Sequence, residues 1–471
     1  MKYCSTRGKE KNLTFKQVLF AGYSGDGGLY MPESVPKITE KELKEWSTLS
    51  YKELVFTIAR RFIDEEEIPS NDLKEVVFTS LKRFRVPEVV RIEKLDGGLN
   101  IIELFHGVTL AFKDLALSVV GGLLNYFLKK DNAHITAVVG TSGDTGSAAI
   151  ESIRGLECMD IVVLLPHGRC TKVQELQMTT VIEDNVHVYC VDGNSDELDE
   201  PIKKAFLDTD FVAANKIISI NSINWGRILA QVAHYFYSYY QLCESVGSPV
   251  QLVVPTGAAG NITGGSLASA MGLPITLVAA VNTNDIVRRT LQGGDFSIKE
   301  NVVQTFASAM DIQMPYNVER ILFHFTGNDT KRVKELMNKF EKEGKVSIPN
   351  DVMKAMKEVI VGSLAVDNDH ITEIMKKVLN KHNYLLCPHT ATAVAYHFQQ
   401  TDNSIPRGYI ATASPAKFPE AVIKAGAEPV TEGVAHLENL PTKFTWMKKG
   451  DDWYSMLRTK IEEITAKKSR K

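Results

Sequence analysis

Lys113 stands in NIIELFHGVTLAFKDLALSVVGGLLNYFLKK, where an apolar run passes through HGVT into a long helical pattern. A lysine held at a helix entrance beside Phe112 is partly desolvated, and desolvation lowers the pKa of its amine. Such an amine is a nucleophile toward an aldehyde cofactor, with which it can form a Schiff base. Read alone, the same residue could instead run its stem along the helix and keep its ammonium in water.

Two glycine turns follow that could hold an anion. In VVGTSGDTGSAAIES, backbone N–H groups at a helix start and the hydroxyls of Thr141, Ser142 and Thr145 are candidate donors, with Gly143 and Gly146 permitting close approach. Asp144 repels a phosphate, so it is expected to hold the loop or a cationic partner. In VVPTGAAGNITGG, the residues Gly257, Ala258, Ala259, Gly260 and Asn261 present no side chain bulky enough to block a phosphate, and Asn261 adds an amide. This turn lacks the lysine and hydroxyl of a nucleotide P-loop and does not fit the dinucleotide GxGxxG pattern. A further strand-turn-helix, GYIATASPAKFPEAV, offers Thr412 as a donor to a heterocycle nitrogen or as a cap, with Ser414 two residues on.

Positioning these groups requires alternating strands and helices. HITAVVG, MDIVVLLP, VHVYCV, KIISI, QLVVP and ITLVAAV are short apolar runs separated by segments of helical spacing, the signature of an α/β fold with parallel sheets. Ligands of such sheets sit where strands lead into helices, which is where the candidate residues lie. Asp114 is expected to cap the helix after Lys113. Residues 39–85 and 328–382 read as charged amphipathic helices, and KKSRK as a frayed tail. The stretch from Ser245 to Asn284 carries no charge, but its prolines and glycines exclude a membrane span.

Composition narrows the function classes. With 54 Lys+Arg against 57 Asp+Glu, the net charge of -3 leaves no basic field for nucleic acid or an anionic membrane. Six scattered cysteines show neither a zinc-knuckle nor a redox spacing, so no metal is expected. Cys387-Pro388-His389 reads as a structural turn, and the aromatic group from Tyr235 to Tyr240 as core or subunit packing. No apolar segment follows the basic amino end, so a cytoplasmic location is expected.

Taken in order, HGVTLAFKDLALS, GTSGDTG, PTGAAGN and ATASPAKFPEAV resemble threonine synthases, pyridoxal 5'-phosphate (PLP) enzymes of fold type II, over nearly the whole chain. YCSTRG and GYSGDGGLYMP add to the likeness. The resemblance implies a tryptophan synthase β-like fold with two open parallel-sheet domains and an N-terminal helical extension. Residues 1–90 would form that extension, 91–130 and 216–471 a large PLP-binding domain with a helical insertion near 328–382, and 131–215 a small substrate-side domain. It also implies that Lys113 is the Schiff-base lysine and that Gly257, Ala258, Ala259, Gly260 and Asn261 cradle the cofactor phosphate. Thr412 would meet the pyridine nitrogen, and Thr141, Ser142, Asp144 and Thr145 the substrate.

Two departures bear on the reaction. Synthases usually show Asn-Phe at Ala258 and Ala259 and a histidine at Ser414, so polar groups near the cofactor are lost. The chain most resembles the threonine synthase-like phospholyase branch of the family. That implies a carbon–oxygen lyase removing phosphate from O-phosphohomoserine (γ) and O-phosphothreonine (β) to give 2-oxobutyrate, ammonia and phosphate. The alternatives are a true synthase making threonine and a noncatalytic binder of PLP or a phosphate ligand. The expected partner is a small phosphorylated amino acid, with no nucleic acid and no membrane, in a chain that could form a homo-oligomer.

Overall fold

A computed structural model of the chain describes residues 1–141, 143–402 and 404–468. Two sheets carry the architecture. The larger has six strands in the order Ile360–Ala365, Ile275–Val281, Val250–Pro255, Arg407–Ala411, Leu99–Glu103 and Arg91–Leu95. All its neighbours run parallel except the last pair, a hairpin in which Arg91–Leu95 lies antiparallel to Leu99–Glu103. The smaller has five parallel strands in the order Thr445–Met447, Val186–Val191, Met159–Pro166, Ile135–Gly140 and Ile217–Ser219. Central strands such as VQLVVP and MDIVVLLP are buried at every position because helices cover both faces, which is why they read as unbroken apolar runs.

The sheets group the chain differently from the expected division at two places. Ile217–Ser219 and Thr445–Met447 both join the smaller sheet, although 216–471 was assigned to the large domain. The closing helix Trp453–Lys468 follows its strand there, burying Leu457, Ile461 and Ile464 beside Leu198 and Ile202. Their i, i+4, i+7 spacing forms one apolar stripe on an otherwise charged helix. Within 328–382, Ile360–Ala365 is an edge strand of the larger sheet, hidden in the sequence between the charged helices Asn350–Val359 and Asn368–His382. The amino-end helices Glu40–Glu45 and Tyr51–Phe62 begin at capping boxes of Thr39 with Glu42 and Ser50 with Glu53.

The helix Lys113–Asp131 starts at the lysine itself, and Asp114 does not cap it. The Asp114 carboxylate turns back to accept the Thr109 N–H at 2.8 Å and the Thr109 hydroxyl at 2.7 Å, tying the preceding turn to the helix. Gly121, two turns on, lets this helix cross Asp144–Ile153 closely, since a Cβ there would lie 2.7 Å from the Ser152 carbonyl oxygen. Gly121→Ala is therefore expected to cost about 1–3 kcal/mol through overpacking. Urea unfolding would read this as a lower midpoint with an unchanged slope.

Candidate active site

One cleft between the two sheets brings together Lys113, Thr141, Asp144, Thr145, Gly257, Ala258, Ala259, Gly260, Asn261 and Thr412. Every described candidate lines it, and Ser142 lies outside the described residues. The convergence follows from topology, because each residue sits just past the carboxyl end of a parallel strand or at the helix that follows it.

Lys113 is fixed from two directions. Phe112 N–H donates to the Thr412 carbonyl at 2.7 Å, and Ala111 bridges Ala413, so the lysine and the 412 turn are held side by side. The side chain is half-buried in the cleft wall. Burial pulls its amine down to about 8; Asp144 pulls it up, and Arg227 and Lys417 push it further down. No hydrogen bond or ion pair to its Nζ occurs among the described residues.

The turn after Val250–Pro255 is shaped for an anion. Ala259 takes a left-handed conformation at φ 60° and opens the helix Gly260–Met271 without a side-chain cap. Among the described residues no protein acceptor meets the N–H groups of Gly257, Ala258, Ala259 or Gly260. The turn is closed behind by residues 309–310, since a Cβ on Gly257 would lie 3.0 Å from the Ala309 oxygen. Asn261 Oδ1 accepts from Tyr235 Oη at 2.8 Å and lies 2.9 Å from His234 Nε2, which leaves Asn261 Nδ2 buried without an acceptor. An orphan amide donor beside a row of free N–H groups fits a phosphate.

The other glycine turn is more self-contained than expected. The Thr141 hydroxyl accepts the N–H groups of Gly143 at 3.0 Å and Gly146 at 2.9 Å, so both donors are spent inside the loop. The Thr145 hydroxyl and the N–H groups of Asp144 and Thr145, at the start of Asp144–Ile153, remain as donors on this wall. Asp144 has the cationic partner anticipated for it, and that partner is Lys417. Lys417 Nζ lies 2.9 Å from Asp144 Oδ1, and Gln174 Nε2 donates to the same oxygen at 2.8 Å. Burial pushes the Asp144 carboxyl up, but Lys417, Lys113, His389 and Gln174 together hold it far below the usual carboxylate range.

Sequence reasoning missed Lys417 and Arg227 and placed His389 in a structural turn. Lys417 is fully buried; its amine also donates to the Thr109 carbonyl at 2.8 Å, and its own carbonyl accepts the Thr171 hydroxyl at 2.7 Å. It thereby joins the lysine turn to the 144 loop. His389 lines the cleft and accepts the Ala309 N–H on Nε2 at 3.1 Å, so its proton resides on Nδ1. Burial pulls this imidazole down to about 4, against Asp144, leaving it neutral at pH 7. Ser414 is taken up by local structure, its Oγ accepting the Ala416 N–H at 3.2 Å to cap the turn Pro415–Lys417. The cleft's imidazole thus comes from the CPH motif that had read as a plain turn.

Three family profiles match in sequence: "Threonine synthase N terminus" over residues 2–81, "Pyridoxal-phosphate dependent enzyme" over 90–408 and "Threonine synthase, C-terminal" over 390–456. The chain is 51% identical over 474 residues to threonine synthase-like 2 of Rattus norvegicus, covering 99% of this chain and 98% of that one. It is 40% identical over 445 residues to a threonine synthase of Pseudomonas aeruginosa, with 93% of each covered. A PLP-bound threonine synthase from Brucella melitensis superposes with a TM-score of 0.91 at 36% identity, covering 98% of this chain and 99% of that one.

Proposed function

Because the chain belongs to the threonine synthase family of PLP-dependent enzymes, we propose that it is a phospholyase acting on O-phosphohomoserine and O-phosphothreonine. The observation that carries this reading is the cleft itself, which sets an amine of lowered basicity between two separate sets of anion donors. A cofactor phosphate and the anionic groups of a substrate need such separate sets.

Lys113 would hold the cofactor's aldehyde, the 257–261 turn its phosphate, and the Thr412 hydroxyl its ring nitrogen. Bound there, PLP supplies an electron sink for the pair left at the substrate α carbon. The Lys113 amine would remove the α proton of either substrate and, with O-phosphohomoserine, then move a proton at the β carbon. A pKa near 8 leaves a useful uncharged fraction at neutral pH. Thr412 offers the ring nitrogen a neutral hydroxyl where a carboxylate would favour full protonation, and this restrains side reactions such as transamination. Thr145 and the helix start beside it receive the substrate. Phosphate leaves from the γ carbon of O-phosphohomoserine or the β carbon of O-phosphothreonine. Both routes give 2-aminocrotonate, which takes up one water and yields 2-oxobutyrate and ammonia.

A second reading, addition of water to give threonine, is favoured by one observation: His389 places a neutral imidazole in the cleft wall, able to orient a water. Product analysis separates the two. Purified holoenzyme given either phospho-amino acid is expected to release phosphate, 2-oxobutyrate and ammonia in equal amounts. Threonine as the main product from O-phosphohomoserine would replace the lyase reading with the synthase one.

A further inference from the structure

Asn261 ends the 257–261 turn, and the face of its amide that meets the cleft decides what the turn can hold. Nδ2 adds a donor for an anion, whereas Oδ1 would set an acceptor against one. The partners of the amide settle its direction, and they come from the third turn of the buried helix Trp225–Leu242. Gly265, one turn after Asn261, lets the two helices meet there, since a Cβ on it would lie 2.6 Å from the Tyr235 ring. That approach brings His234 and Tyr235, both fully buried, against the Asn261 side chain.

Burial pulls the His234 imidazole down to about 4, against its hydrogen bond with Asn261, so the ring carries one proton at neutral pH. Nδ1 is buried and has no partner among the described residues, so a proton there would be an orphan donor. On Nε2 the proton has Asn261 2.9 Å away. It therefore resides on Nε2, and the Asn261 atom that it meets is the oxygen. The Tyr235 hydroxyl agrees, lying 2.8 Å from Asn261 Oδ1 and 2.9 Å from the Asn261 carbonyl oxygen. A planar amide held by its oxygen from this side turns its nitrogen to the other, and Nδ2 meets no acceptor among the described residues.

We propose that His234 is a positioning residue for the coenzyme: its Nε2–H fixes the Asn261 amide so that Nδ2 is presented to the phosphate of PLP. The assignment rests on the reading of the 257–261 turn as the cradle of that phosphate. His234 does not line the cleft and acts only through Asn261, which does. Without its donor the amide is free to turn, and turned it sets Oδ1 against the phosphate.

The test compares how tightly the full chain, as apoprotein, binds PLP and pyridoxal, which lacks the phosphate, read from the absorbance each gains on binding. The unaltered chain should prefer PLP; equal affinities would overturn the cradle and this proposal with it. His234→Phe keeps a ring and loses the donor. It should weaken PLP by about 3- to 10-fold, the worth of one hydrogen bond, and leave pyridoxal within about twofold. His234→Gln, whose Nε2–H takes the place of the imidazole's, should return PLP to within about twofold of the unaltered chain. A purely structural role predicts otherwise, because lost packing weakens both ligands and an amide does not repair it. With the preference for PLP intact in the unaltered chain, three results each overturn the proposal and leave the cradle standing: unchanged PLP affinity in His234→Phe, an equal weakening of pyridoxal, or no rescue by His234→Gln. Should His234→Phe not fold, Tyr235→Phe removes the other donor to Oδ1 and carries the same expectation and the same contradiction. These are binding measurements, so a lack of turnover would count against the phospholyase reading alone.

Discussion

Lys113→Ala is expected to abolish the visible absorption that a covalently held PLP gives the holoenzyme and to lower phosphate release by at least ~10²–10⁴-fold, the usual worth of a positioned proton-transfer group. The protein should nevertheless fold. The Lys113 amine is drawn down to about 8 in the folded chain against ~10.4 in an unfolded one, so the unfolded state holds its proton more tightly. That penalty on the folded apoprotein is complete below about pH 8 and is relieved as pH rises toward ~10.4. Removing the amine therefore leaves the apoprotein no less stable at pH 7. A thermal midpoint equal to or above that of the unaltered chain, together with the loss of colour and turnover, would assign the effect to chemistry. Retained turnover in Lys113→Ala would remove this residue from the reaction.

Lys417→Met should be the most destabilising of the site substitutions. It leaves the Asp144 carboxylate buried without its cation, a change worth about 3–5 kcal/mol when one partner of a buried pair is removed. It also removes the bond to the Thr109 carbonyl, which Gln177 Nε2 alone would then hold, at 3.0 Å. Turnover should fall as well, because Thr109 is tied through Asp114 to the first turn of the Lys113 helix. Pairing the substitution with Asp144→Asn should restore much of the stability, since the buried charge is then gone; a double-mutant cycle measures this directly. The pH dependence has a definite sign. The folded-state pKa of Asp144 lies below its unfolded value of ~3.9. Its contribution is thus complete above about pH 4 and is lost only as pH falls toward the folded value. Lys417→Met should accordingly flatten the acid limb of the stability curve.

Much of this site is legible in the chain. Short apolar runs broken by glycine turns give the strands and the helix starts, and parallel sheets bring those turns to one edge. Lys113, the 257–261 turn and Thr412 each stand at such a turn, and it is the resemblance to threonine synthases that implies they share one site. What stays hidden are groups whose meaning depends on a partner far away in sequence. Lys417 lies in ASPAKFPEAV, where the hydroxyls drew notice, yet its role is set by Asp144, 273 positions earlier. Arg227 had a signal of its own, a single cation in the apolar pattern WGRILAQVAHYFYSYY, which a surface helix would not show. His389 reads in the sequence as part of a structural turn; the fold sets it in the cleft wall against the Ala309 N–H. Thr141 lines the cleft as expected, and its hydroxyl also accepts two N–H groups of its own loop, a use that short polar side chains in glycine turns readily find and that spacing alone does not reveal.

Everything turns on which nitrogen holds the coenzyme. Reducing the PLP-loaded enzyme with borohydride, digesting it and weighing the peptides tests this most directly. The account predicts one phosphopyridoxyl group per chain, on the peptide that contains Lys113. A label fixed to any other lysine, Lys417 included, or a chain left unlabelled after full loading, would contradict it.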